Sequence, residues 1–202
     1  GTNGKLKVND PVFYTIGEDG NKVFVKAGEP IVFENTYKAN GEIDIEGIKV
    51  MHSKPLAPGD FSFILKDENG KVVETVTHGE AKLNNKKDLE ARAAFKFSPL
   101  KFTQEDLKSG GGYLPEIRKY YTIEEQISKN SGVTYSNAAY VVEVTIKDNK
   151  NGTLTVTKAV AGQKDVKKDE TDNGLSDFLK ALIGRMSGKK DDIVFDNYYD
   201  SV

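Results

Sequence analysis

Period-two alternation is the feature that most narrows what this chain can become. Successive side chains on a strand face opposite sides of a sheet, so apolar residues at every second position mark a half-buried strand. Phe61, Phe63 and Leu65 alternate with Ser62 and Lys66 up to a turn at 67–70, and 71–77 follows at once, so 61–77 reads as a hairpin. Ala93, Phe95 and Phe97 alternate with polar partners. Tyr140, Val142, Val144 and Ile146 do the same against Glu143, Thr145 and Lys147. A turn at 148–152, ending in Asn151 and Gly152, leads into 153–157, where Leu154 and Val156 share a face. Many short strands joined by Asn/Gly and Asp/Gly turns predict an all-β chain folded as a β-sandwich.

Two stretches depart from that pattern. Residues 80–90 are charged and are expected to form a surface excursion, with a turn of helix at most. Residues 163–190 open with a lysine- and aspartate-rich run. They continue through Leu175, Phe178, Leu179, Leu182 and Ile183, whose spacing suits one short amphipathic helix. This segment is read as an insertion between two strands, a solvated decoration rather than a lid.

Composition removes whole classes of function. The 202 residues carry 29 basic against 31 acidic side chains, a net charge of −2, which argues against a nucleic-acid partner or an anionic-membrane binder. No apolar run approaches the roughly 20 residues of a membrane-spanning helix, so no membrane insertion is expected in 1–202. Cysteine is absent, which excludes disulfides, thiolate metal sites and cysteine nucleophiles. Two histidines, His52 and His78, leave almost no material for a metal site or a triad, and neither a metal nor a cofactor is expected. The stretch 184–190 lacks the Ser/Thr that a phosphate loop needs after its lysine. The stretch 148–153 puts Lys150 at a calcium-ligand position and reads as a hairpin turn. The first ten residues have no apolar leader core, which suits either an intracellular chain or an excised mature fragment.

The chain also carries a partial internal repeat. Residues 3–8 (NGKLKV) are similar to 151–156 (NGTLTV), and 31–37 (IVFENTY) to 193–199 (IVFDNYY), in the same order. The second copy is longer between the two matches, where 163–190 lies. Residues 1–40 are therefore expected to be the last strands of a preceding repeat plus a linker, with the main domain spanning 41–202.

Strand parity then singles out three polar residues. Lys49 shares a face with Ile43, Ile45 and Gly47; Glu125 with Tyr121 and Ile123; Asn197 with Ile193 and Phe195. Each alone has an ordinary reading, a wet strand end or a bulge that shifts parity. Glu124 is a rival to Glu125 for the inward position. Together the three matter more, because an unpaired buried charge is costly.

Burial lowers a lysine pKa and raises that of a glutamate, which favours a neutral amine beside a protonated acid. A neutral amine is a nucleophile. The amide carbon of asparagine becomes a usable electrophile when an acid hydrogen-bonds its oxygen and proton transfer helps ammonia leave. Contact enforced by the fold supplies the proximity. The expected product is an isopeptide cross-link between Lys49 and Asn197, with Glu125 as the catalytic acid, formed in a single turnover and not as an enzyme.

The run 41–50 (GEIDIEGIKV), Tyr120 to Gln126, the turn at 132–135, the strand 140–146 and the closing 193–197 (IVFDN) together resemble the pilin isopeptide-linkage domains of Gram-positive surface proteins. The resemblance covers about 41–200, and 1–38 is similar to the tail of another copy. It implies an Ig-like, Cna-B-type sandwich with the three roles falling on Lys49, Glu125 and Asn197. It also implies an extracellular, cell-wall-attached stalk or shaft module of a pilin or adhesin, anchored outside this segment. Its partners would be other repeats or subunits of the same surface protein. The alternative is a ligand-binding adhesin domain that recognises a host extracellular protein or glycan. Asn35 matches Asn197, but no lysine and acid segments precede it, so one cross-link per chain is expected.

Overall fold

The computed structural model describes residues 4, 11–26, 30, 36–85, 89–127, 132–163, 186 and 190–200. The chain divides into two units, Gly1–Tyr37 and Lys38–Val202. In the first, β1 (Tyr14–Ile16) and β2 (Lys22–Phe24) form an antiparallel hairpin. Gly20 takes a positive φ of 77° in its turn, where Asp19 accepts the backbone N–H of Asn21. Residues 3 and 5–8, the 31–35 stretch and Asn35 lie outside the described residues.

The second unit runs through β3 (Asn40–Ile43), β4 (Glu46–His52), β5 (Ser62–Asp67), β6 (Val72–Thr77), β7 (Ala81–Asn85), β8 (Glu90–Lys96) and β9 (Leu100–Thr103). It continues with β10 (Lys108–Ser109), β11 (Gly112–Tyr113), β12 (Glu116–Gln126), β13 (Val133–Thr134), β14 (Ala139–Asp148), β15 (Leu154–Gln163) and β16 (Val194–Tyr199). One sheet has the order β15-β14-β12-β5-β6 and the other β13-β16-β4-β8-β7. Phe63 of the first sheet stacks on Phe95 of the second at 3.8 Å between ring centroids. Phe195 joins them, and one continuous apolar core fills the space between the sheets. The protein is an all-β sandwich.

The alternating segments became strands because each supplies one apolar row to that core. Phe63 and Leu65, Ala91, Ala93 and Phe95, and Val142, Val144 and Ile146 are all buried. Each phenylalanine so buried is worth roughly 1.5–3 kcal/mol. The hairpin expected at 61–77 is β5–β6, and the turn at 148–152 joins β14 to β15. In that turn Gly152 has a φ of +87°, a conformation that glycine adopts without penalty.

Residues 80–90 need correction. Residues 81–85 are no excursion: they form β7, an antiparallel edge strand paired to β8. Its Lys82 suits an edge, where a lysine discourages pairing with another sheet. Among the described residues the helical structure is a 3-10 turn, Gln104–Leu107. The helix expected within 175–183 lies outside the described residues, while β15 extends as far as Gln163.

Candidate functional site

Strand β4 faces Gly47 and Lys49 inward and leaves Ile48 partly exposed. Gly47 is required there: a Cβ would sit 2.4 Å from the Phe95 ring and 2.8 Å from Ile193. That close approach brings β16 alongside β4. The two pair in parallel, with Phe195 opposite Lys49 and Asn197 opposite Met51. Phe195 and Asn197 therefore point to the same side as Lys49, between the sheets. Tyr140 fixes the start of β16, its hydroxyl donating to the Val194 carbonyl at 2.6 Å and accepting from the Val194 N–H at 3.1 Å.

Glu125 comes from the facing sheet. In β12, Tyr121, Ile123 and Glu125 are buried on the core side. Glu124 turns the other way and pairs with Lys66. The parity that favoured Glu125 over its neighbour is thus the geometry observed.

The three side chains meet. Lys49 Nζ lies 2.9 Å from Glu125 Oε1 and donates to the Phe195 carbonyl at 3.1 Å. The same Oε1 accepts from Asn197 Nδ2 at 3.1 Å. Lys49 and Asn197 have no solvent exposure and Glu125 has 2%. The Phe61 ring lies 4.7 Å from Nζ and is itself packed edge-on against Tyr135. The remaining carboxylate oxygen, Glu125 Oε2, is buried with no hydrogen-bond partner among the described residues.

This environment weakens both charges. Loss of water lowers the Lys49 pKa from 10.5 to about 8, against the pull of Glu125 and, more weakly, Asp196. Burial raises the Glu125 pKa, opposed first by Lys49, then by Asn197 and the nearby Ser136 N–H. Both shifts reduce the cost of a neutral amine beside a protonated acid.

One contact differs from the sequence-based expectation. The acid was expected on the asparagine oxygen, but Glu125 meets the amide nitrogen. Asn197 Oδ1 instead accepts the backbone N–H of Ser136 at 2.7 Å. No side-chain pattern could reveal a main-chain donor. The Phe61 ring over the amine was likewise read only as part of a strand. Among the described residues no group of three or more His, Asp or Glu side chains is placed to hold a metal ion.

Fold and site define a class: a two-sheet sandwich whose first and last long strands run side by side, with a buried lysine, glutamate and asparagine in contact between the sheets. Residues 45–200 match the FctA family, described as a Spy0128-like isopeptide containing domain, and the chain belongs to that family. Two solved structures from Streptococcus pyogenes are similar to it. The major pilin protein T-13 shares 16% identity at a TM-score of 0.41, over 83% of this chain and 56% of that one. The major pilin protein T3.2 shares 11% at a TM-score of 0.39, over 81% and 55%. The chain thus spans little more than half the length of those pilins. The comparison with curated proteins gives no match.

Proposed function

We propose that this chain is a structural shaft module of a bacterial surface pilin, stapled by one self-formed isopeptide bond between Lys49 and Asn197. The observation that carries the reading is the Glu125 oxygen held within hydrogen-bonding distance of both Lys49 Nζ and Asn197 Nδ2 among buried side chains. Family membership supports the structural role.

The chemistry balances without a cofactor. Neutral Lys49 Nζ attacks Asn197 Cγ, and a carbon–nitrogen bond forms there. The Cγ–Nδ2 bond breaks, and Glu125 takes a proton from Nζ while returning one to Nδ2. Ammonia leaves, and Glu125 ends as it began. The reaction runs once per chain.

The use of the bond follows from topology. It joins β4 to its parallel neighbour β16, so tension entering near either end of the sandwich passes between the two strands through a covalent link. Unlike a disulfide it is indifferent to redox conditions, which suits a cell-surface location and a cysteine-free chain. Its partners in this role are subunits of the same kind. Digestion of the purified protein tests the reading: a branched peptide holding Lys49 joined to Asn197 is expected. Recovery of both residues only in separate linear peptides from folded protein would overturn it.

A further inference from the structure

The isopeptide reading leaves open what stabilises the negative charge that develops on Asn197 Oδ1 when the amine attacks. Glu125 meets the amide through its nitrogen, so it manages protons on the nucleophile and leaving group. The group on the oxygen is the main-chain N–H of Ser136, at 2.7 Å. That is at the short end for an N–H to carbonyl bond and within the range found for donors that hold an oxyanion.

The fold explains how this donor reaches the site. Strand β13 has only two residues, yet it pairs antiparallel with β16, Val133 opposite Tyr199 and Thr134 opposite Tyr198. Two residues beyond that pairing, the Ser136 N–H reaches the Asn197 side chain. There the Ser136 hydroxyl accepts the Ala138 N–H at 3.2 Å, and Tyr135 packs on Phe61. The loop is thus tied to the strand that carries the electrophile and to the ring that lies by the nucleophile.

We propose that the Ser136 backbone N–H is the oxyanion donor of the cross-linking reaction, with β13 as the element that positions it. This rests on the Lys49–Asn197 reading. As Nζ bonds to Cγ, the carbonyl π pair moves onto Oδ1 and is held by the Ser136 N–H. The pair then returns to re-form the C=O bond, and Nδ2, protonated through Glu125, leaves as ammonia. A preorganised dipole in a dry site stabilises such charge without having to reorient.

The test uses the full chain made by cell-free synthesis, with samples quenched in acid and ammonia loss followed by intact mass across a pH series. Ser136→Ala loses the hydroxyl that accepts from Ala138, so it is the reference for the side chain, and it keeps the N–H. Ser136→Pro removes it and is expected to slow cross-linking roughly a hundred- to a thousandfold. Rates are compared at the plateau of the pH profile, because the Ser136 N–H also opposes the rise of the Glu125 pKa and its loss moves that limb. A reaction slowed only on the shifted limb, with the parent rate regained at the plateau, would mean that the donor acts on Glu125 alone and would overturn the assignment. So would a Ser136→Pro rate within threefold of the parent. Folding is checked by melting Ser136→Pro,Asn197→Ala against Asn197→Ala, neither of which can cross-link. If the proline variant does not fold, a backbone ester at Ser136 removes the same N–H with little change of shape. An unchanged rate in the ester overturns the proposal, and a slowed one supports it. A parent chain that never loses ammonia refutes the isopeptide reading itself, an outcome distinct from all of these.

Discussion

Replacing Asn197 by alanine removes the electrophile while leaving the Lys49–Glu125 pair in place. The cross-link would close a loop of about 150 residues, and in the chain-entropy model that restriction of the unfolded state is worth about 5 kcal/mol. For a chain of this size each kcal/mol moves the melting temperature by about 2–4 °C, so the variant should melt about 10–20 °C lower. Part of any loss belongs to the Ser136 N–H, which would be left without its acceptor, at roughly 1–3 kcal/mol. Glu125→Gln separates the two contributions. It keeps Asn197 and a side chain of the same shape but provides no group to carry the proton. Lys49, already pushed down to about 8, can then stay buried as a neutral amine. Both variants should retain the full sequence mass and share the larger part of the drop. The assay is calorimetric melting paired with intact mass on the same sample. A variant that keeps its ammonia yet melts within about 3 °C of the parent would refute the claim that the bond restrains the chain, since that is at most about 1.5 kcal/mol here.

Other expectations follow from the same geometry. Glu125→Ala should block cross-linking and Glu124→Ala should not, because Glu124 faces Lys66 on the other side of β12; intact mass of the two variants decides it. Cross-linking should slow as pH falls, since the amine must lose its proton and burial places that loss near pH 8; initial rates of ammonia loss across a pH series check this. In Asn197→Ala, Lys49 titrates lower in the folded state than its ordinary 10.5. The unfolded chain then binds more protons between about 8 and 10.5, and stability from this group rises with pH over that window. The parent, whose Lys49 would be an amide, should lack that rise, and denaturant melts of the two at matched pH measure the difference. Asn35 should remain an ordinary amide, giving one ammonia lost per chain and none mapped to the peptide that contains it.

Much of this was legible in the sequence, for identifiable reasons. Strands that give one face to the core, such as β5, β8 and β14, must alternate, and they were read directly. The same parity pointed to Lys49, Glu125 and Asn197, because a polar residue in an apolar row is conspicuous. Strand β7 was missed because an edge strand has little need of an apolar row: Leu83 remains 45% exposed, and the surrounding charges look like loop. The orientation of the Asn197 amide was missed for a different reason. It depends on a main-chain N–H brought in by a two-residue strand, and neither leaves a mark on side-chain pattern.

The central claim is covalent, so the most direct measurement is the intact mass of the folded, purified protein. The expected mass is that of the sequence less one molecule of ammonia. A folded sample with the full sequence mass would contradict it.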